Sequence, residues 1–538
     1  MTRLSPAQQA EANFRPNTPV PTPLVDVAAA VGLEPADVHP SGMNTQVTGV
    51  SLNTKTVLPD DLYLALPGAK QHGAAYGSQA IAAGAAAILT DPAGADLLRG
   101  VEVPVLSVQR PRQYVGAVAE LIYRDESVRD IKLFGVTGTN GKTTTSYFID
   151  AVLTQLGLTS ALVGTIETRL GAETIPSSLT TPEATQLHAL FAKLAQTGGQ
   201  SGVMEVSSHA ISYQRISGLH FAVAGFTNLT QDHLDLHGSM ADYFDTKAEL
   251  FSSQRCDTAV ILTDGGEQGY GHKMAAAVSA KLVRLCTDGT DPEADWSVTE
   301  VTPDGLGHAF TLQHKDGTRI QTSTGLPGEF NIANAALAAV MVLSADLSAL
   351  GITRQELVEV LSGGRPFDTA VPGRMEVITQ EPAGVVDFAH NPDAMIRTLS
   401  ALKEASAGKL ILVFGATGER DTSKRAIMGA IAAEYADVII VSDDDPHGEE
   451  PAGIRAQVMA GAKDWIREHD ADRTLLEISP RQDAIKHAAE LADRHDTIVL
   501  AGRGHETAMD VAGTVVPIDD RDELRHAVAL AQKQARAR

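Results

Sequence analysis

Cysteine is nearly missing from this chain. Cys256 and Cys286 are the only two in 538 residues, so neither a disulfide framework nor a cysteine-rich zinc site is available. Both read as reduced thiols. Aromatic residues make up only 4%, which leaves Ala, Val, Leu and Ile to fill the cores. No stretch approaches the roughly 18 uninterrupted apolar residues of a membrane span. The opening segment "MTRLSPAQQAEANFRPNTPVPTP" lacks the apolar centre of a signal peptide. Its Pro, Asn, Gln and Thr content reads as a flexible lead-in over residues 1–22. Excess basic charge is lacking too: the formal charge is −24, which argues against a nucleic-acid partner. An anionic ligand is not excluded, because a glycine loop and a few cations override a global field locally. A cytoplasmic chain with no membrane insertion is expected.

What is present is an ordinary globular composition, 43% hydrophobic and 20% charged. At about 100–200 residues per domain, the length suggests three or four units. Residues 23–130 hold short strand candidates ("VTGVSLNT", "DLYLALPG", "AAILTD", "VPVLSV") among helical stretches, a small α/β unit. Residues 131–365 open with a strand, a glycine loop and a helix, then continue in alternation, with "SALVGTIET" and "SGVMEVSS" as strands. Such alternation indicates βαβ units and a mostly parallel sheet. Near 295–325 a period of two around Asp-Gly turns predicts an antiparallel appendage. Residues 366–538 repeat the alternation, and "KLILVFG", "DVIIVSD" and "DTIVLAG" are apolar throughout, as buried parallel strands should be. Ligands in such sheets bind at the carboxyl ends of strands, which puts "GERD", "DDDPH" and "GRGHE" on one rim. The expected class is α/β with three domains: a small N-terminal domain, a central ATPase-like domain and a C-terminal Rossmann-like domain.

The glycine loop "GVTGTNGKTTT" (135–145) carries the clearest chemistry. Gly138 and Gly141 let backbone approach a phosphate, and the helix starting near Lys142 points amides and a positive dipole end at it. Lys142 can neutralise phosphate, and the Thr143 hydroxyl can ligate Mg²⁺. The spacing departs from the ordinary P-loop, which would place a glycine at Val136.

This loop resembles the ATP loop of the Mur ligase family, whose form is G-x-x-G-T-x-G-K-T. Six further motifs follow in the family's order: "TTPEA" (180–184), "MEVSSHA" (204–210), "FTNLTQDHLDLHGSMADYFDTK" (226–247), "GEFNIANAALA" (328–338), "PGRME" (372–376) and "DFAHNPDAM" (387–395). The likeness runs from about residue 47 to 525. "DHLDLHG" with the later "GRGHE" is similar to the members that join an amino acid to UDP-MurNAc-L-Ala-D-Glu, converting ATP to ADP and phosphate in peptidoglycan precursor synthesis. A folylpolyglutamate synthetase-like ligase shares the fold and loop, but the N-terminal unit with its "LNTK" and "LPG" elements argues against it. A nucleotide switch without ligase activity would leave "DFAHNPD", Lys247 and the third domain without a role.

By this resemblance ATP is held by Gly138, Thr139, Asn140, Gly141, Lys142, Thr143 and Thr144, with Asn331 and Asn334 near adenine. Arg374, Asp387, His390 and Asn391 join it from the third domain. Arg374 can clamp the γ-phosphate bidentately, and Asp387 can bind either ribose or that arginine. Glu205, His233 and Thr143 are implied as Mg²⁺ ligands, hard oxygens suiting that ion. Lys247, which on a helix is ordinarily a solvated face residue, is implied to be carbamylated, turning a cation into an anion that helps hold the metal. The family's "L-D-S-R" appears here as "LNTK", so Leu52, Thr54 and the nearby Lys70 are expected at the UDP moiety. Thr180, Thr181, Ser207 and Arg215 match positions that grip the MurNAc-dipeptide. A monomer is expected.

The added amino acid depends on "SDDDPHGEEP" (442–451). Members adding meso-diaminopimelate carry "DNPR" there; this chain has Asp444, Asp445, Pro446 and His447. Replacing Arg by His removes a permanent bidentate cation, and replacing Asn by Asp adds an acid. Both changes favour a side chain ending in an ammonium, so L-lysine is expected, ornithine falling in the same class and meso-diaminopimelate being the alternative. Arg420 is expected at the α-carboxylate, with Gly502 and Glu506 lining the same pocket.

Overall fold

The computed structural model describes residues 4–537 apart from 35–41, 43, 69, 125–127, 129, 176–178, 233, 265, 267, 306 and 420. Two compact units emerge: residues 1–297, 314–318 and 337–364, and residues 298–313, 319–336 and 365–538.

In the first unit, strands β1 (Thr22–Pro23) and β2 (Gln46–Val47) form a short antiparallel pair. Strands β3 (Gly49–Ser51), β4 (Asp61–Leu64), β5 (Ala87–Thr90) and β6 (Val105–Ser107) make a parallel four-stranded sheet in that order. The lead-in expected to be flexible is instead helical over Pro6–Phe14. Ser5 and Gln8 form a reciprocal capping box and Pro6 occupies the first turn, satisfying amides that would otherwise be orphaned. Phe14 is buried, and Arg15 reaches Asp61 at 2.9 Å and the Val50 carbonyl at 3.1 Å. Lys193 and Gln196, both from the 184–197 segment, close on the Asn13 and Thr18 carbonyls at 2.9 Å each. One hydrophobic cluster consequently runs from Phe14 through Val50, Leu64 and Val118 to Leu190 and Phe191.

The larger sheet of this unit contains β7 (Lys132–Thr137), β8 (Ser160–Val163), β9 (Thr168–Leu170), β10 (Glu173–Ile175), β11 (Ser201–Glu205), β12 (Phe221–Phe226), β13 (Cys256–Leu262), β14 (Lys281–Cys286) and the start of β15 (Trp296–Asp304). Their order is β10-β9-β8-β11-β7-β12-β13-β14-β15. The segment read as one strand, "SALVGTIET", breaks at Gly164 and folds back, so that β8 and β9 are antiparallel. Strand β7 lies between β11 and β12, pairing parallel with both. The chain thus leaves β7 towards one flank and returns on the other. That is a topological switch point, where α/β sheets open a crevice at the carboxyl edge. Glu205 pairs with Val136 and Phe226 with Thr137, so the glycine loop, Glu205 and Thr227 all emerge on that edge.

In the second unit, β16 (Gly307–His314) and β17 (Arg319–Thr324) form the predicted antiparallel hairpin. Strands β18 (Glu376–Gln380), β19 (Ala383–Asp387), β20 (Leu410–Phe414), β21 (Val438–Val441), β22 (Thr474–Glu477) and β23 (Thr497–Ala501) make a sheet of order β18-β19-β23-β20-β21-β22. Its strands are parallel except the antiparallel edge β18. Leu410, Leu412 and Phe414 face one core, while Ile411 and Val413 face another. Burial on both faces is what their unbroken apolar character predicts. A hairpin of β24 (Ala508–Val511) and β25 (Thr514–Pro517) follows the last sheet strand. Beyond Gly513, nothing in the sequence signals this hairpin.

Candidate active site

The glycine loop is built by its own backbone and by the segment after β12. Gly138 has φ +146° and Gly141 φ +90°, conformations that L side chains rarely adopt. A Cβ on Gly138 would lie 1.8 Å from the Thr227 hydroxyl, so the close approach admits only glycine. Thr227 donates its hydroxyl to the Asn140 carbonyl at 2.6 Å, and the Asn228 side chain accepts from the Asn140 amide at 3.0 Å. Thr139 donates its amide to the Asn228 carbonyl at 2.9 Å and its hydroxyl lies 3.2 Å from the Tyr243 hydroxyl. The helix Lys142–Gln155 begins at the loop's end, with Thr143 and Thr144 buried in its first turn. Lys142 Nζ curls back to the Gly138 and Thr139 carbonyls at 3.0 and 2.9 Å. An anion lodged on the loop therefore meets the helix N-terminus and an adjacent ammonium.

Lys247 is not a solvated face residue. It is 1% exposed, on the helix Met240–Ala248, and donates to the Gly138 carbonyl at 2.9 Å. Its Nζ sits 4.6 Å from the Tyr243 ring centre, Tyr243 lying four residues earlier on the same helical face. Burial pushes its pKa well below the ordinary lysine value, Lys142 repulsion pushes the same way, and Asp232 opposes both. The charged form is thus disfavoured relative to an exposed lysine, which makes the uncharged amine, the nucleophilic form, easier to reach here.

Glu205 ends β11 and is 1% exposed. Its carboxylate accepts from the Thr165 amide at 2.8 Å and the Thr165 hydroxyl at 3.1 Å. Thr165 also lies 3.1 Å, hydroxyl to hydroxyl, from Thr180. Thr181 donates to the Glu205 carbonyl at 2.8 Å, and Ser207 caps the next short helix through Ala210. Arg215 pairs with Glu183 at 3.0 Å and reaches the Thr181 carbonyl at 3.3 Å. Thr180, Thr181 and Ser207 are therefore brought beside Glu205, with Arg215 reaching this group through the Thr181 carbonyl, while His233 lies outside the described residues. The Glu205 carboxylate and the Thr143 hydroxyl are hard oxygen donors that fit Mg²⁺; Lys247 as an amine does not, and as a carbamate it would.

In the N-terminal sheet, the turn after β3 is closed by Asn53, whose side chain accepts from the Lys55 amide at 3.0 Å. This is the Asx-type bond an aspartate would make there. Leu52 and Thr54 are half-buried, and Lys70 is exposed.

In the second unit Asn331 is buried, donating to the Pro327 carbonyl at 2.8 Å and accepting from Asn334 at 3.0 Å. Arg374 stacks over Phe388, 4.3 Å from its ring centre. Asp387, at the end of β19, accepts from the Met375 amide at 2.7 Å and from the Thr398 hydroxyl at 2.9 Å. Burial pushes its pKa up, against those bonds and nearby Arg374. His390 Nδ1 lies 2.8 Å from the Phe388 carbonyl, and Asn391 caps the helix Pro392–Ala405 through Ala394 at 2.9 Å.

The same unit gathers Asp444, Asp445 and Glu506 so that one oxygen of each lies within 4.8 Å of the others. Between them is a residue that its sequence context does not single out. Arg503, fully buried, lies 3.5 Å from Asp444, 3.5 Å from Asp445 and 3.6 Å from Glu506. Burial raises the Asp444 pKa, and Glu506 is pushed up to about 7 by burial and by Asp444. Gly502 has φ +109°, and a Cβ there would lie 2.5 Å from Asp444. His447 is held elsewhere: its ring is 3.3 Å from Asp510 and its backbone pairs with the β24 strand. Arg420 lies outside the described residues. Beneath the cluster Arg481 and Asp520 pair at 2.6 Å with no exposure, which nothing in their separate sequence contexts announces. Arg503 was legible in principle, being enclosed by the quoted "GRGHE".

Comparison with known proteins covers the three larger sheets. Residues 46–123 match the Mur ligase family catalytic domain, 136–342 the Mur ligase middle domain and 373–504 the Mur ligase glutamate ligase domain. A UDP-N-acetylmuramyl-tripeptide synthetase of Leifsonia xyli subsp. xyli is 41% identical over 519 residues, covering 96% of this chain and 97% of that protein. A UDP-N-acetylmuramoyl-L-alanyl-D-glutamate–2,6-diaminopimelate ligase of Streptomyces coelicolor is 39% identical over 513 residues, covering 95% and 97%. A solved structure of a diaminopimelate ligase with the same descriptive name superposes with a TM-score of 0.64 at 27% identity, covering 96% of this chain and 100% of that one.

Proposed function

Because this chain belongs to the Mur ligase family, we propose that it is an ATP-dependent ligase joining a free amino acid to UDP-MurNAc-L-Ala-D-Glu, and that the amino acid has a side chain ending in an ammonium, L-lysine in the first instance. What carries the amino-acid assignment is the Asp444, Asp445 and Glu506 cluster, three carboxylates on a pocket that lacks an arginine at position 447. A substrate carboxylate would be repelled there, while an ammonium would be attracted.

A carboxylate is a poor electrophile, so a free carboxylate of the glutamate first attacks the γ-phosphorus of ATP and the bond to ADP breaks. The substrate amine then attacks the acyl carbon, the carbon–oxygen bond to phosphate breaks, and the amine loses a proton. Gly138, Thr139, Asn140, Gly141, Lys142 and Thr144 hold the phosphates, and Lys142 offsets charge as it passes to the β,γ bridge. Mg²⁺, held by Glu205, the Thr143 hydroxyl, His233 and Lys247 as a carbamate, would offset charge between carboxylate and phosphates. The lowered Lys247 pKa supports that modification: the deprotonated amine adds to the carbon of CO₂, loses a proton and becomes an anion. Asn331 and Asn334 are assigned to adenine, and Arg374, Asp387, His390 and Asn391 to the phosphates and ribose. Leu52, Thr54 and Lys70 of the 23–130 domain meet the UDP moiety. Thr180, Thr181, Ser207 and Arg215 of the 131–365 domain meet the MurNAc-dipeptide. Arg420, Asp444, Asp445, Gly502 and Glu506 of the 366–538 domain meet the amino acid. His447, tied to Asp510, shapes the pocket by its lack of a permanent cation.

A second reading, addition of meso-diaminopimelate, is favoured by the names of relatives in Streptomyces and Corynebacterium at 39–40% identity. The test is phosphate release with ATP and UDP-MurNAc-L-Ala-D-Glu, comparing L-lysine, L-ornithine and meso-diaminopimelate. Release with L-lysine supports the first reading. Release with diaminopimelate alone selects the second, and release with none of the three rejects both.

A further inference from the structure

Arg503 sits at the centre of a charge arrangement that its immediate neighbours do not neutralise. Asp444 and Asp445 approach it from the loop after β21, and Glu506 from its own loop after β23. The other charged groups nearby are already engaged by other partners. Arg481 pairs with Asp520 at 2.6 Å, Asp443 pairs with Arg455, and Asp510 is engaged by His447 at 3.3 Å. One guanidinium therefore faces three acids, leaving an excess of negative charge at this point. Exposure is graded: Arg503 and Asp444 are 0% and 3% exposed at the side chain, while Asp445 and Glu506 are 17% and 33% exposed. The arginine cannot touch a ligand, but it is placed to fix the groups that do. Its position is set from behind by a 2.6 Å hydrogen bond from a terminal nitrogen to the Ala508 carbonyl at the start of β24. Its Nε is buried without a hydrogen-bond partner among the described residues. That is a cost accepted for holding one terminal nitrogen towards the three carboxylates while the other stays on Ala508.

We propose that Arg503 is a positioning residue for amino-acid selection: it holds Asp445 and Glu506 at the pocket rim, over buried Asp444, in an under-neutralised cluster completed by the side-chain ammonium of the incoming amino acid. The inference rests on the reading of this pocket as the amino-acid site. It adds that substrate binding and the ionisation of Glu506 are coupled. Glu506 is faced by Asp444 and Asp445 from the β21 loop, by Arg503 from its own loop and by Arg481 from the helix Arg481–Leu491. The acids outweigh the arginines, so its carboxyl is pushed up to about 7, with burial the largest cause. An ammonium binds the ionised form better, so the KM for the amino acid should fall as pH rises through about 7 and level off above it.

Steady-state phosphate release by the full chain, titrating the amino acid from pH 6 to 9, tests this. Removing the guanidinium in Arg503→Met takes positive charge from beside Glu506, so the inflection should move to higher pH. Arg503→Lys keeps the charge but loses the second terminal nitrogen, which anchors the side chain to the Ala508 carbonyl. Its KM for the amino acid should rise by about tenfold, with kcat and the KM for UDP-MurNAc-L-Ala-D-Glu within about twofold of the parent. Glu506→Gln should remove the inflection, and Asp445→Asn should move it to lower pH; both are rim substitutions that keep the proposal testable if neither arginine variant folds. A wild-type KM that does not vary across the range overturns the proposal. So does an inflection unmoved in Arg503→Met, or parallel losses for all substrates in Arg503→Lys. Failure of the underlying reading looks different: wild-type protein would turn over no amino acid with a terminal ammonium at any pH.

Discussion

Replacing Gly138 with alanine should damage both the fold and the phosphate site, and the structure allows the size to be worked out. At φ +146° the residue occupies a region that L side chains rarely enter, costing about 1–3 kcal/mol. The new Cβ would fall 1.8 Å from the Thr227 hydroxyl and 3.0 Å from both the amide nitrogen and carbonyl oxygen of Asn228. Thr227 can rotate away only by giving up its 2.6 Å bond to Asn140, and the backbone of Asn228 cannot rotate at all, so overpacking adds about 1–3 kcal/mol. A combined loss of about 2–6 kcal/mol at about 2 °C per kcal/mol, the low end suited to a unit this large, predicts a Tm lower by about 4–12 °C. The Gly138 carbonyl also receives Lys142 at 3.0 Å and Lys247 at 2.9 Å, so nucleotide affinity should fall by more than tenfold. Calorimetry and ADP titration measure the two effects separately. Adding Thr227→Ala removes the nearest clash but neither the backbone strain nor Asn228, so it should recover only part of the lost Tm. An alanine variant within 1 °C of the parent and with unchanged ADP affinity would refute the argument from backbone approach.

Arg15→Met should strand two buried carboxylates, because Asp61 and Glu11 are 1% and 3% exposed and both pair with that arginine; a loss of about 3–5 kcal/mol in urea unfolding is expected, and a loss under 1 kcal/mol would show that the lead-in helix contributes little. Glu506 supplies a pH test of stability whose sign can be stated. Its folded pKa of about 7 exceeds the ordinary 4.5, so between those values the folded state holds more protons than the unfolded one and stability declines as pH rises. Glu506→Gln should therefore gain Tm relative to the parent at pH 8 and show no such gain at pH 4.5; an equal effect at both values would contradict the shift.

The order of strands and helices, the phosphate loop and the carboxyl-end rim were determined by the sequence itself, because they depend on local periodicity and on glycine placement. "KLILVFG" and "DVIIVSD" could hardly be anything but strands buried on both faces, and Gly138 and Gly141 announced a backbone cradle. The lead-in helix was written there as well, in the Ser5–Gln8 capping box, but its composition obscured it. Other features required the chain to be folded. The Lys247 pKa was driven down only when the helix carrying it and Tyr243 was pressed against Gly138, since desolvation belongs to surroundings and not to residue type. Thr165 met Glu205 across 40 residues because the chain reversed at Gly164. Asp444 and Asp445 came within reach of Arg503 and Glu506, some 60 residues away, because β21 and β23 end on the same edge, with β20 between them. Pairings of that kind are set by strand order, which no single stretch of sequence encodes.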